Sequence, residues 1–570
     1  MIGLTDLDGD FLSYTVDVVS IELERSGGDV VETLPERQRV DFADLVDVTE
    51  FVTAATIPNG DYVRAIIRLD YEEAEVSVES FGAPAEAVVV DEDGVALGVV
   101  DLEIELDDAN HVVVAPGTPA LLQLDFDLET SHTVNLFTTP ATVVAEPLLV
   151  GTIEPVEEKD FRVRGPLVSV DTAAGSFIVD LRPFNHPDAE HGRVTIETTT
   201  ATDFEVDGEE LVGAAGLQAL ADAGAGTLTD AHGVFDLADG VFTADRVFAG
   251  DSVPGANFDV VIGNVIARFG NDLIVRGGTV IRRDDSVVFA RGDIAVDISS
   301  DTVVTQEGGG DNQLDTDAIS VGQRIHAFGD ASSSDVNPTL NANNGLVRLH
   351  LTHLVGTVVD AVTGTLTLDL FSIDGRSSEF FNFNGTGGSI LTDANPFNYE
   401  IDTGDLDVTE FEADEPAEVF GFVTEFGFTP PDFTARTLIE FEDVRAVLGV
   451  GWGFGGTMAP FLSIHDSELV LDAANPNLSA RRHLTIGPQI TDITSLGAPI
   501  TIEPDTGPTV FAIGRPLDIE VFRDFASFSD RVSGLLGGGS TMHGLTARGS
   551  FDEDSTTLTA NYVAVAFQSP

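Results

Sequence analysis

The chain has 570 residues, with 97 acidic against 27 basic side chains and a formal net charge of −70 at pH 7. Contacts to phosphate need clustered Lys and Arg, so nucleic acid and anionic membrane surfaces make poor partners, and a hydrophobic fraction of 43% excludes global disorder. Cysteine is absent, which excludes disulfides, thiolate zinc sites and thiol catalysis.

Lys159 is the single lysine; the other bases are arginine. Such a charge destabilises a compact state by self-repulsion, and salt screens it over about 10 Å at 0.1 M. A salty or divalent-rich setting is therefore expected. The length exceeds the roughly 250–300 residues at which one core stops growing, so several domains are expected.

Residues 1–150 read as a β-sandwich of immunoglobulin-like or transthyretin-like kind. Asp6, Asp8 and Asp10 crowd three carboxylates at its start, donors that suit calcium, although the full EF-hand spacing is missing. Tyr14, Val16 and Val18 alternate, and then Val19, Ile21 and Leu23 continue on the other parity, which predicts a β-bulge. Phe42, Leu45, Val46, Thr49 and Val52 fit one face of a short helix. Ala87–Val90 and Val95–Val100 flank Asp91-Glu92-Asp93-Gly94, a hairpin turn.

After a charged connector at residues 155–160, a hairpin pattern recurs. Gly165–Leu181 runs apolar strand, Asp-x-x-x-Gly turn, alternating strand. Versions of it begin at Gly263, Gly356 and, more weakly, near Gly456. The segments also close alike: Phe242-Thr243-Ala244, Phe433-Thr434-Ala435 and Leu558-Thr559-Ala560, with a degenerate form near Leu340–Leu349. Spacings near 95 residues are too long for a solenoid. They predict four tandem small β-barrel-like domains at 161–250, 258–354, 355–447 and, divergent, 448–570. A helix is expected at Glu209–Ala223.

The first quarter carries Gly3-Leu4-Thr5-Asp6, Gly9-Asp10, the run YTVDVVSIEL, Leu69-Asp70-Tyr71 and Leu124-Asp125-Phe126-Asp127-Leu128. It resembles the bacterial lipoprotein-type family of domains of unknown function numbered 4382. The repeats resemble the family numbered 5666, of small barrel-like β domains. The first resemblance implies an extracytoplasmic place, periplasmic, outer-membrane or secreted, behind an export signal and a lipid-bearing cysteine. This chain holds neither, so membrane attachment would come only through an anchor outside it. Neither resemblance brings a catalytic residue.

Further candidate sites are sparse. Asp311, Asp315 and Asp317 form a second acidic loop cluster. His186 and His191, with Asp188 and Glu190, offer imidazole and carboxylate donors to a transition metal; the alternative is a solvated hairpin tip. His350 and His353, placed on one strand, would face opposite sides. Gly451–Gly456 matches GxGxxG but lacks the following helix that pyrophosphate binding needs. Tyr14, Tyr62, Trp452 and Tyr562 are candidates for stacking on sugars. No GxSxG, HExxH or Walker motif occurs.

These observations point to a non-enzymatic, extracytoplasmic binding or scaffold protein of a salt-adapted bacterium, with glycans or other surface proteins as partners. Two alternatives are a filament or matrix subunit, self-assembling by strand addition and cations, and a polysaccharide hydrolase using paired carboxylates.

Overall fold

The computed structural model describes the chain except residues 8–10, 47, 55, 81–82, 92–93, 107–110, 116–119, 129–131, 137, 146–148, 153–158, 184–190, 237–238, 285, 309–313, 335–336, 442–443, 454, 516–517, 554 and 569–570. The all-β expectation is borne out, with two α-helices among the described residues.

The head packs two sheets. In one, β1 (Ile2–Leu7) lies antiparallel to β4 (Val48–Thr53) and parallel to β8 (Leu122–Asp127). In the other, the long β5 (Gly60–Ser80) lies between β2 (Phe11–Arg25) and the pair β6 (Ala83–Val90) and β7 (Val99–Leu106), with β3 (Gln38–Asp41) on the far side of β2. Tyr14, Val16, Val18, Ile21 and Leu23 all enter the core between the sheets, and the register slips between Val18 and Ser20, where the bulge was expected.

One local expectation fails. The helix over residues 42–52 is only a 3-10 turn, Phe42–Leu45. Val48–Thr53 is a strand buried on both faces, so its apolar run imitated a helical face. The turn expected after Val90 forms, with the Asp91 amide donating to the Val95 carbonyl at 2.8 Å, a bridge from Val90 to Ala96 and the Leu97 amide donating to the Val89 carbonyl at 3.2 Å, before β7 runs on to pair with β5.

Barrel 1 consists of β9 (Asp160–Asp171), β10 (Ser176–Asp180), β11 (Arg193–Val206), β12 (Leu228–Asp236) and β13 (Val241–Ala249). Its strand order 1-2-3-5-4-1 closes a circle with the third and fifth strands parallel. This is the Greek-key arrangement of OB-type barrels. Barrel 2 repeats it with β14 (Asp259–Phe269), β15 (Asp272–Ile281), β16 (Val287–Asp297), β17 (Arg324–Ala331) and β18 (Thr339–Leu349). Barrel 3 does so with β19 (Thr352–Val362), β20 (Thr365–Ile373), β21 (Tyr399–Asp402), β22 (Pro416–Val423) and β23 (Phe433–Ile439).

The repeated residues are explained by close backbone approach. A Cβ on Gly165 would stand 1.9 Å from the Asp180 carbonyl oxygen, and one on Gly356 would stand 2.7 Å from that of Asp369. The first strand of barrels 1 and 3 thus coils against the second with no room for a side chain, while Gly263 of barrel 2 makes room for the Val275 side chain. In the fourth strand, Gly233, Gly421 and Gly549 sit where the register slips, facing the carbonyls of Thr243, Thr434 and Thr559. The Thr-Ala signature is the partner of that bulge. In barrel 2 Gly329 meets Asn341, which accounts for the degenerate form there.

The fourth module departs from the pattern. Its strands include β24 (Ala446–Trp452), β25 (Glu468–Leu471), β26 (Leu478–Ile486), β27 (Ile500–Pro504), β28 (Val510–Arg515), β29 (Asp518–Phe522), β30 (Thr541–Asp552) and β31 (Thr557–Gln568). The weaker hairpin expected near Gly456 forms between Phe461–His465 and β25, while β24, ahead of it, pairs with β26. Helix α1 (Ala214–Ala223) of barrel 1 and α2 (Phe525–Gly537) of the fourth module occupy the same place, before the fourth barrel strand. The first four residues of the expected helix at 209–223 form a short strand instead.

The modules are not strung out. β4 of the head pairs in parallel with β9 of barrel 1, and β7 of the head pairs in parallel with β29 of the fourth module. The head's Ser77 accepts from Arg291 of barrel 2, and its Glu79 faces Arg376 of barrel 3. The head is therefore in contact with all four modules that follow it.

Candidate functional site

A concentration of buried charge lies where the head meets barrel 1 and barrel 1 meets barrel 2. Along β9, Phe161 and Val163 point into barrel 1, so Arg162 and Arg164 point out of it. Pairing β9 with β4 sets both guanidiniums against Glu50, which is 0% exposed: Arg164 donates at 2.9 Å to one carboxylate oxygen and Arg162 to the other. Arg162 also faces Asp230 and the head's Asp44. Asp44 is exposed, yet the protein packed around its carboxyl outweighs Arg162, Arg324 and Arg164 and raises its pKa.

The seam between barrels 1 and 2 is built on Arg348 of β18. Its guanidinium grips Glu205 of β11 with two bonds of 2.9 and 2.6 Å and donates to the Ser252 carbonyl at 2.7 Å. It lies 3.9 Å from the ring centre of Phe248 and 5.1 Å from that of Phe328, a cation held between two aromatic faces. Burial disfavours the Glu205 anion, but Arg348 outweighs it and holds the carboxyl below its usual range. Alongside, Arg246 of β13 reaches Asp160 at 2.5 Å and also pairs with Glu307 of barrel 2. Glu307 accepts from Nδ1 of His350 at 2.9 Å, and the His350 ring lies 3.8 Å, centre to centre, from that of His326. Burial, reinforced by neighbouring arginines, drives both imidazoles far below the usual histidine range, so both are neutral at pH 7. Asp230 behaves oppositely: burial opposes its charge, but His232, Arg162 and Arg164 together keep it ionised.

The residues picked out from sequence fall elsewhere. The side chains of Asp6, Asp8 and Asp10, together with Asp311 and His186, lie outside the described residues. Asp315 caps a 3-10 turn by accepting from the Asp317 amide at 2.8 Å, and Asp317 stands 3.7 Å from Arg268. His191 is buried, its Nδ1 2.7 Å from the Val52 carbonyl and its Nε2 3.4 Å from Gln38, and so connects barrel 1 to the head. His350 and His353 are not on one strand: His350 follows β18 into the seam, whereas His353 lies on β19 and stacks on Phe420 at 4.3 Å. Tyr14, Tyr62, Trp452 and Tyr562 are all core, so none offers a ring to a sugar. After Gly451–Gly456 comes a strand, Phe461–His465, and no helix.

Among the described residues no three His, Asp or Glu side chains stand close enough to hold a metal ion, and no helix is long and apolar enough to cross a membrane. The seam residues escaped the sequence because each is a lone charge on a strand. The legible signal was scarcity: Arg162 and Arg164 place two of the chain's 27 bases one residue apart. Comparison with known proteins adds no name to this arrangement: no family model, no curated protein and no solved structure matches the chain.

Proposed function

We propose that the chain is a non-catalytic, extracytoplasmic binding and scaffold protein of a salt-adapted bacterium, which holds its β modules in one fixed arrangement. The observation that carries this reading is the use of the scarce arginines. Arg162, Arg164, Arg291, Arg348 and Arg376 all lie at joints between modules, and two head strands are committed to inter-module pairing. Charged groups held in seams fix relative orientation; a reaction centre would instead aim them at a cleft.

The binding half of the reading rests on barrel 3. Ile390 and Leu391, 82 and 92% exposed, occupy the tip of a turn in which Thr392 returns two bonds to the Ser389 carbonyl, from its amide at 2.8 Å and its hydroxyl at 2.9 Å. Thr429 donates to the Thr392 carbonyl at 2.7 Å and so holds the exposed Phe428 beside them. Large apolar side chains presented rigidly on an acidic molecule suit recognition, because little ordering remains to be done on binding. Closed barrels, and two head strands already paired with other modules, favour this reading over assembly by strand addition.

The test is a screen of the intact chain, in molar salt, on a glycan array and on immobilised secreted and envelope proteins. A companion variant carries Ile390→Ser, Leu391→Ser and Phe428→Ser. Saturable binding that the variant loses supports the reading. No binding to any probe, or binding the variant retains in full, overturns it.

A further inference from the structure

The stacked histidines between barrels 1 and 2 play no part in the scaffold reading, and their geometry is unusual. Nδ1 of His326 and Nε2 of His350 are buried without a hydrogen-bond partner. An unpartnered buried nitrogen costs about 1–3 kcal/mol, so a pair of them side by side needs an explanation. A metal does not supply one, since among the described residues no third donor is close enough. A proton does.

We propose that His326 and His350 form a proton-operated latch: the seam between barrels 1 and 2 is closed while both rings are neutral and opens when they are protonated.

The surroundings give the latch its direction. From barrel 2, Arg324 and Arg348 face the pair; from barrel 1, Asp230, His232 and Arg246 do. Glu307 accepts from His350, but it is already shared with Arg246. Asp230 likewise faces Arg162 and Arg164. A new imidazolium therefore enters a crevice where the nearby anions already serve other cations, against a second ring 3.8 Å away. Separating the barrels returns both rings to water, where a histidine protonates near its ordinary pKa of about 6.5.

The sign follows. The closed form binds fewer protons than the open form, so closure is fully stable above about pH 6.5 and is lost as pH falls below it. Each ring raises the opening constant by up to about tenfold per pH unit. The hinge is the link between the barrels, residues 250–258, where Gly250 and Gly255 adopt φ of +65° and +78°. The two bonds between Arg348 and Glu205, whose carboxyl Arg348 holds below its usual range, resist opening and set how far below neutrality the latch releases.

Amide hydrogen exchange of the intact protein in molar NaCl, from about pH 7.5 to about pH 5, reads the seam directly. After correction for intrinsic exchange rates, amides of β12, β13, β17 and β18 are expected to open at least about tenfold more often at the acid end, while barrel 3 stays protected. His326→Gln with His350→Gln should abolish that selective opening. An unchanged seam in the wild type, or the same acid opening in the variant, overturns the latch. Should the variant fold poorly, proton NMR titration of the wild-type histidines decides: His326 and His350 must titrate below the others, and an ordinary value for either one refutes the proposal.

Discussion

Of the seams around the head and barrel 1, two use the same residue types in opposite ways. Against barrel 1, and onward to barrel 2, arginine and carboxylate meet out of water: Glu50 is 0% exposed, and the side chains of Arg348 and Glu205 are 2 and 6% exposed. Against the fourth module the charges lie on the surface. Register sets Asp518 opposite Glu103 and Glu520 opposite Glu105, and Arg64, Arg515 and Arg531 thread between these acids. Exposed pairs are worth about 0–1 kcal/mol. A buried pair contributes little net stability but becomes very costly once one member is removed. The first seam therefore specifies orientation, and the second relies on its strand pairing and on the apolar side chains of Ile519 and Val521, which join the head's core.

The largest effect expected is at Arg348. Arg348→Met strands Glu205 in a dry interface and should lower unfolding stability by about 3–5 kcal/mol, read by urea unfolding in molar salt. Adding Glu205→Met should recover most of the loss, because a well-packed apolar replacement of a buried pair is often neutral. A double variant no better than the single one would mean that the pair itself holds the seam. Glu50→Gln leaves Arg162 and Arg164 facing a neutral acceptor; a cost of about 1.5–3 kcal/mol is expected for weakening hydrogen bonds to a charged group, in the same unfolding assay.

These contrasts define what a sequence can carry. Gly165, Gly356 and the Thr-Ala pairs were legible because each answers to a contact inside one barrel, between strands near in sequence or repeated elsewhere in the chain. Arg348 and Glu205 were not: 143 residues separate them, and each has the alternating pattern of an ordinary outward-facing strand position. Val48–Thr53 misled for a related reason. Buried by the head's other sheet on one face and by barrel 1 on the other, it lost the period of two that marks a strand.

Between the two seams in expected effect stands Asp41. Its carboxylate accepts from the Ser13 hydroxyl at 2.7 Å and the Tyr14 amide at 2.6 Å, yet burial and then the charge of Asp44 push its pKa up to about 7. A raised carboxyl favours folding while protonated, so its contribution is lost as pH rises through about 7. That runs against the histidine latch, which weakens in acid. Asp41→Asn should remove this loss and leave the acid opening of the barrel seam untouched. Unfolding midpoints measured on both sides of neutrality, beside hydrogen exchange at β18, separate the two; a variant that also shifts the seam would show that Asp44 couples them through Arg324.

The smallest effects belong to the exposed seam. Arg64→Ala loosens contacts at 3.1, 3.4 and 2.9 Å to Glu24, Glu103 and Glu105, and Arg515→Ala does the same at Asp518 and Glu520. Each should cost no more than about 1 kcal/mol. Salt then distinguishes cause from coincidence. Screening weakens these pairs, but it also weakens repulsion between like charges placed directly opposite and across a chain of net charge −70. Wild-type stability should therefore rise with NaCl, and either Ala variant should lie below it at low salt and converge on it in molar salt. A deficit that persists in high salt would mean that the arginine stems support the seam by packing rather than by charge.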